Sequence, residues 1–318
     1  MVRTRHRVAA GTAWRQRQIR RDPQGGKEAH TPLSPLPRAG TSAAVSAPEI
    51  FSRTARRLQR ERAARGYAEH DFVRAAMLDG IYDRLAAVKR DFVDVLDLGC
   101  FDHGFAPPTG ARVVRADLAA GFAPDVQCEE DRLPFADASF DLVVSAGVLD
   151  SVNDLPGALT LIRRVLRPDG LFLGAFLGAG SLSTLRGVIR AAEPERAAAR
   201  LHPQIDVRSA GDLLFRTGFA LPVADQETLS ARYRDLARLL GDVRGMGAGN
   251  ALAERTPLTR GTVGRMATEF AARADADGRT SEQFQIVFVT GWSPSPDQPK
   301  PARRGSGTAS LAHALGRP

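Results

Sequence analysis

Lysine is almost missing from this chain: of 44 basic residues, all but Lys27, Lys89 and Lys300 are arginine. Together with abundant alanine, the bias reads as GC-rich coding more than as a functional choice. Cysteine is equally scarce, with Cys100 and Cys128 alone. Two cysteines do not build the disulfide framework of a small secreted fold, so a reducing, cytoplasmic setting is expected. No apolar run approaches the ~18 residues of a membrane-spanning helix, and no transmembrane segment is expected. The six histidines are scattered, and no metal site with ligand spacing is indicated. Neither a nucleophile elbow nor a Walker loop is present.

The formal net charge of +8 is concentrated at the ends. Residues 1–47 carry nine basic and two acidic residues, and residues 294–318 carry four and one. What lies between is slightly negative and shows no basic stripe, so a nucleic-acid partner is not expected. Met1 to Arg21 is rich in arginine but lacks the apolar core of a secretory signal. It reads as an extension, with an organelle transit sequence as the alternative. Residues 22–48 are rich in Pro, Gly and Ser without periodicity. The expected organisation is therefore a disordered extension over 1–48 and a flexible tail over 294–318. Between them lie an α/β domain over 49–220 and a C-terminal elaboration over 221–293 that completes the sheet.

The first ordered element is a helix over 51–65, with a thin apolar stripe of Ile50, Phe51, Ala55 and Leu58. Its arginines read as a solvated face, with an acidic partner as the less favoured alternative. A second helix follows over about 71–88. The rhythm then changes to short β-prone runs at Phe92–Leu98, Arg112–Ala116, Phe140–Ser145 and Leu171–Leu177. A helix from Pro156 to Leu166, with Asp154 as N-cap, separates the last two. Strands alternating with helices predict a mostly parallel sheet covered on both faces. Helices are expected over 185–199, 209–217 (capped by Ser209), 233–241 and 260–274. Strands are expected over 222–233 and 284–292.

The chemistry is concentrated at strand ends. Val95-Leu96-Asp97-Leu98-Gly99-Cys100 is a strand running into an acid and a glycine turn, at the sheet edge where open α/β folds bind ligands. Glycine there permits close backbone approach. Asp117 ends the next strand 20 residues later, and a carboxylate at that point can accept hydrogen bonds from both hydroxyls of a ribose. The loop Glu129-Glu130-Asp131-Arg132-Leu133-Pro134-Phe135 and the strand Phe140 to Ser145 complete the series.

In this order and spacing the elements resemble the class I S-adenosylmethionine-dependent methyltransferases. The resemblance implies a Rossmann-like fold and S-adenosylmethionine as cofactor. Asp97, Gly99 and Cys100 would face the methionine moiety, Asp117 the ribose, and Glu129 with Glu130 the adenine edge, with Ser145 at the end of the fourth strand. A narrower likeness runs from Ile50 to Trp292. It is carried by Val152-Asn153-Asp154-Leu155-Pro156, Arg163-Arg164-Val165-Leu166-Arg167-Pro168-Asp169-Gly170 and Gly245-Met246-Gly247-Ala248-Gly249-Asn250. These are similar to the methyltransferase-like assembly factors of respiratory complex I. That implies a protein substrate or assembly partner, with either methylation or arginine hydroxylation as the chemistry. A catalytically degenerate assembly chaperone and a small-molecule methyltransferase of the biotin-synthesis type are the alternatives.

The sequence departs from that family in four places. Its cofactor loop commonly reads Gly-Cys-Gly-x-Gly, where this chain has Gly99-Cys100-Phe101-Asp102-His103-Gly104. Pro107 and Pro108 interrupt the helix expected after the loop. Asp150-Ser151 replaces a His-Trp pair, and Gly178-Ala179-Gly180 replaces a stretch carrying an acid. Asp150 and His103 are the catalytic candidates, each with a plainer reading as a cap and as a solvated loop residue. The resulting expectation is a methionine end that is impaired and an adenosine end that is intact.

Overall fold

The computed structural model describes residues 49–195 and 199–298. The expectations for 1–48, and for the tail beyond 298, lie outside the described residues.

Seven strands form one sheet in the order β3-β2-β1-β4-β5-β7-β6. In chain order they are β1 (Asp94–Leu98), β2 (Arg112–Asp117), β3 (Val126–Gln127), β4 (Phe140–Ala146), β5 (Leu166–Leu177), β6 (Ala220–Tyr233) and β7 (Thr280–Trp292). The first five pair in parallel, and β7 runs antiparallel to both β5 and β6. The helices are α1 (Arg53–Ala63), α2 (Phe72–Ala86), α3 (Leu155–Val165), α4 (Ser183–Ala192), α5 (Val207–Arg216), α6 (Leu236–Gly245) and α7 (Arg260–Ala271).

Alternation along each central strand feeds two cores. Leu96, Leu98, Val143 and Phe172 point to the layer holding α3 and α5. Val95, Leu142, Val144 and Leu173 point to the layer holding α2, α4, α6 and α7. Central strands are thus buried on both faces, which explains their near-continuous apolar runs.

Several expected boundaries shift for local reasons. The helix expected over 185–199 stops at Ala192, because Pro194 disfavours helical geometry in the residue before it. Asp206, not Ser209, caps α5; its carboxylate accepts from the Ser209 N–H at 2.7 Å. The turn expected at 167–170 lies inside β5 as a bulge, with Asp169 at φ +61° and pairing broken between Phe140 and Leu142. Asp154 caps α3 as expected, accepting from Gly157 N–H at 2.8 Å.

The connection from β1 to β2 contains no helix. Pro107 and Pro108 fall in it, and neither continues a helix. Phe105 takes over the sealing role: it is fully buried in the α2 layer and stacks on Tyr82 with ring centroids 5.9 Å apart.

Candidate functional site

The carboxyl ends of β1, β2 and β4 bring Asp97, Asp117 and Ser145 to one edge of the sheet, all three buried. Gly99 turns away from β1 at φ +81°, and its N–H donates to the Ala116 carbonyl at 2.7 Å. A Cβ on Gly99 would sit 2.5 Å from the Val148 side chain, so glycine is required for packing as well as for the turn.

Phe101 and His103 adopt positive φ, at +46° and +64°, the left-handed conformation that the family's glycines accept at no steric cost. Phe101 survives there because its ring is a keystone. It stacks on Tyr67 at 4.8 Å, meets Phe122 edge-on at 5.4 Å, and lies beneath the Arg60 guanidinium at 3.8 Å. Such aromatic and cation–π contacts contribute about 0.5–1.5 kcal/mol each, enough to offset a strained backbone. Cys100 is buried, and its thiol is pushed up to about 12 by burial and by the neighbouring Asp117 and Asp97 carboxylates. It is a packed turn residue, not a nucleophile.

The acids expected to face adenosine are already paired. Arg60 Nε donates to Asp117 Oδ1 at 3.3 Å, and its Nη2 pairs with Oδ2. Arg56 grips Glu130 with two bonds of 2.6 and 2.9 Å, and also donates to Ser151 Oγ and the Val148 carbonyl. Arg53 binds both Asp131 oxygens at 2.8 Å and pairs with Glu129. For Arg56, burial opposes the charge, but Glu130 outweighs it and the net shift is upward. All three arginines stand on α1. The helix therefore faces inward with its arginines; of the expected apolar stripe, Phe51 and Ala55 are buried as expected, while Ile50 and Leu58 are exposed. A composition-based reading cannot separate a solvated arginine from an ion-paired one. The spacing Arg53, Arg56, Arg60, which places them on one side of a helix, was the signal available.

Asp97 is the opposite case. Neither carboxylate oxygen has a hydrogen-bond partner, although the side chain is fully buried. Arg74 Nη2 approaches no closer than 3.8 Å and is committed to the Cys100 carbonyl at 3.1 Å. Burial pushes Asp97 up to about 6, with Arg74 and Arg115 opposing. Ser145 Oγ is likewise buried and unpartnered. Two buried polar groups left unsatisfied at one strand edge are the signature of a ligand site, here one able to take a cation. His103 Nε2 is also unpartnered, on the loop beside them.

Two cavities adjoin this edge. One of about 40 Å³ lies among Arg56, Arg60, Tyr67, Arg74, Phe101 and Asp150. It is far below the ~300–1,000 Å³ of ordinary ligand pockets. The other, about 700 Å³, has apolar walls that include Leu185, Ile189, Leu240 and Met266. Asp150 and His202 line both. Burial raises Asp150 to about 6 against the pull of Arg56. Burial, with Arg56 nearby, lowers His202 to about 4, so it is neutral and accepts from the Ala251 N–H at 2.9 Å. Among the described residues no cluster of metal-ligating side chains occurs.

The sheet order and the layered helices define a class I methyltransferase fold. A methyltransferase domain family matches residues 96–174. The chain is 32% identical over 284 residues to the mitochondrial arginine-hydroxylase NDUFAF5 of Danio rerio, covering 83% of this chain and 88% of that protein. It is 33% identical over 297 residues to the Homo sapiens protein of the same name, covering 86% and 85%. A malonyl-[acyl-carrier protein] O-methyltransferase of Methylovorus sp. is 30% identical over 262 residues, or 74% of this chain and 86% of that one. Among solved structures, the YcgJ protein of Bacillus subtilis aligns with a TM-score of 0.46 and 17% identity, over 70% of this chain and 99% of that one. The chain belongs to the NDUFAF5 family within the class I methyltransferases.

S-adenosylmethionine is the cofactor of this class. The residues present suit it unevenly. Asp97 offers a carboxylate free of hydrogen bonds for a cationic ammonium, with the Arg74 guanidinium 3.8 Å away, and Asp117 has the right chemistry for a ribose diol. No helix N-terminus follows the Gly99 turn to receive a carboxylate, and α1 holds the nucleoside end closed. The expected contrast between the two ends is thus altered: the methionine end keeps a free acid, while the acids of the adenosine end are engaged.

Proposed function

We propose that this chain is an S-adenosylmethionine-using protein of the complex I assembly type that modifies a protein substrate at arginine by hydroxylation. The observation that carries the proposal is the likeness to proteins named arginine-hydroxylase over 83–87% of this chain. The O-methyltransferase relatives match 51–74% of it, a range that also holds one arginine-hydroxylase relative, that of Dictyostelium discoideum, at 56%. Neither the small-molecule methyltransferase nor the degenerate chaperone is favoured beside it.

In methyltransferases of this fold the bound cofactor supplies an electrophilic methyl group on a sulfonium. A methyl group carries no oxygen, so hydroxylation of an arginine C–H would take its oxygen atom from dioxygen, with a two-electron reductant releasing the second oxygen as water; the chain's own residues would position cofactor and substrate. Asp97 and Ser145 would hold the amino acid end, Asp117 the ribose, and Glu130 the base edge. The 700 Å³ cavity receives the substrate side chain next to Asp150. A carboxyl raised to about 6 is poised to exchange a proton near neutral pH. Asp150 is therefore the catalytic candidate this reading keeps; His103 lines neither cavity. We place the protein in the cytoplasm, in keeping with two unpaired thiols.

The test is intact-mass and peptide mass spectrometry of complex I subunits from cells with and without the gene. A single added oxygen on an arginine that disappears with the gene supports hydroxylation. An added methyl group there refutes it, as does an unchanged subunit.

A further inference from the structure

We propose that α1 is a removable strap over the nucleoside end of the cofactor site: Arg60 occupies the Asp117 carboxylate in the ribose's place, and cofactor binding exchanges that arginine for the two ribose hydroxyls and loosens the helix. The proposal rests on the reading of S-adenosylmethionine as the cofactor.

The acceptor capacity of Asp117 forces the exchange. A carboxylate offers about four lone-pair sites. Oδ1 takes the Ala119 N–H at 2.8 Å and Arg60 Nε at 3.3 Å. Oδ2 takes the Phe101 N–H at 3.2 Å and Arg60 Nη2. All four are filled, two by fixed backbone and two by one side chain. A vicinal diol brings two O–H donors, the number that Arg60 would release. No ribose can bind Asp117 while Arg60 stays, and its departure leaves the demand for donors met.

The space is coupled to the same residue. The guanidinium of Arg60 and the Phe101 ring beneath it stand between Asp117 and the small cavity, which is too small for a nucleoside. Arg56 stands over Glu130 in the same way.

The helix is built to leave. Its buried residues are Ala55, Arg56, Arg60 and Ala63, so little apolar surface is lost when it lifts. Its grip is the two buried ion pairs of Arg56 and Arg60 and the partly exposed pairs of Arg53, together with Gln59 donating to the Asn250 carbonyl and Glu61 accepting from the Ala120 and Gly121 N–H groups; the attraction of the buried pairs is largely offset by desolvation. Elements docked this way lie at the low-stability end of a fold and are the ones that move. Meanwhile Asp97 keeps two oxygens without a hydrogen bond, and the Arg74 guanidinium comes no closer to them than 3.8 Å.

The experiment titrates the full chain with S-adenosylhomocysteine by calorimetry, using the natural protein, Arg60→Gln and Arg56→Gln. It also follows amide hydrogen exchange over residues 53–63 with and without saturating ligand. Arg60→Gln is expected to tighten binding roughly tenfold, since it lowers the cost of opening. Arg56→Gln should tighten it less. In the natural protein the ligand should speed exchange across α1. If the natural protein binds and Arg60→Gln binds no tighter, the strap is refuted while the cofactor reading stands. Slowed or unchanged exchange in α1 on binding also refutes it, and needs no variant to fold. If no variant binds and the natural protein does not either, strap and cofactor reading fall together.

Discussion

Replacing Asp97 by Asn removes a buried charge that the fold leaves without hydrogen-bond partners. The carboxyl sits at about 6 against an ordinary 3.8, chiefly because burial penalises its ionised form. That difference of a little over two units corresponds to about 3 kcal/mol of destabilisation above the folded value. The sign follows from proton uptake. A carboxyl raised in the folded state binds its proton more tightly there than in the unfolded chain. The penalty is therefore absent below 3.8, grows between 3.8 and about 6, and is complete above that. An Asn side chain is isosteric and neutral but brings an amide that also wants partners, which takes back about 1 kcal/mol. Urea unfolding at about pH 7.5 should thus find Asp97→Asn more stable than the natural protein by about 2 kcal/mol. The gap should close on acidification and reverse near pH 4, leaving the natural protein more stable by up to about 1 kcal/mol. The same variant should lose affinity for S-adenosylmethionine, because a neutral amide does not match an ammonium. A variant that is less stable at neutral pH, or a gap that does not vary with pH, would show that Asp97 is already compensated and refute the reasoning.

Three further substitutions test the packing around the site. Glu282 is fully buried and accepts from the Thr184 and Leu185 N–H groups at 3.0 and 2.8 Å, capping α4 from β7; Glu282→Ala should cost about 2–4 kcal/mol and lower the melting temperature. A Cβ on Gly80 would stand 2.4 Å from the Phe288 ring, so Gly80→Ala should destabilise by about 1–3 kcal/mol in denaturant titration despite its better helix propensity. Phe101→Ala empties the stack between Tyr67 and Phe122 and should cost about 3 kcal/mol, less whatever backbone strain it relieves, read as a shift in the urea midpoint.

The sheet was legible because strands buried on both faces have to be apolar throughout, and Asp97, Asp117 and Ser145 were legible because a strand end followed by a turn marks the ligand edge. What could not be read was the partner of each acid. Arg60 and Asp117 are separated by 57 residues, and Arg56 and Glu130 by 74. The one-sided spacing of Arg53, Arg56 and Arg60 marks a face of the helix but does not name the acids that face meets. The Pro107-Pro108 pair did announce that the helix after the glycine turn would be interrupted. Only the structure shows it missing altogether, with Phe105 sealing the gap.

That sealed gap bears on how the chain folds. A parallel pair ordinarily waits for a helix to form and dock before its strands can meet, which makes such pairings slow. Here residues 99–111 join β1 to β2 as a short irregular loop, whose closure costs little entropy. Phe105 can bury itself against Tyr82 of the preceding helix as soon as that helix exists. The β1–β2 pair is therefore placed to form early and to serve as a nucleus for the strands on either side. The same ligand edge that carries Asp97 and Asp117 would then be among the first parts of the sheet to assemble, before β6 and β7 close its far side.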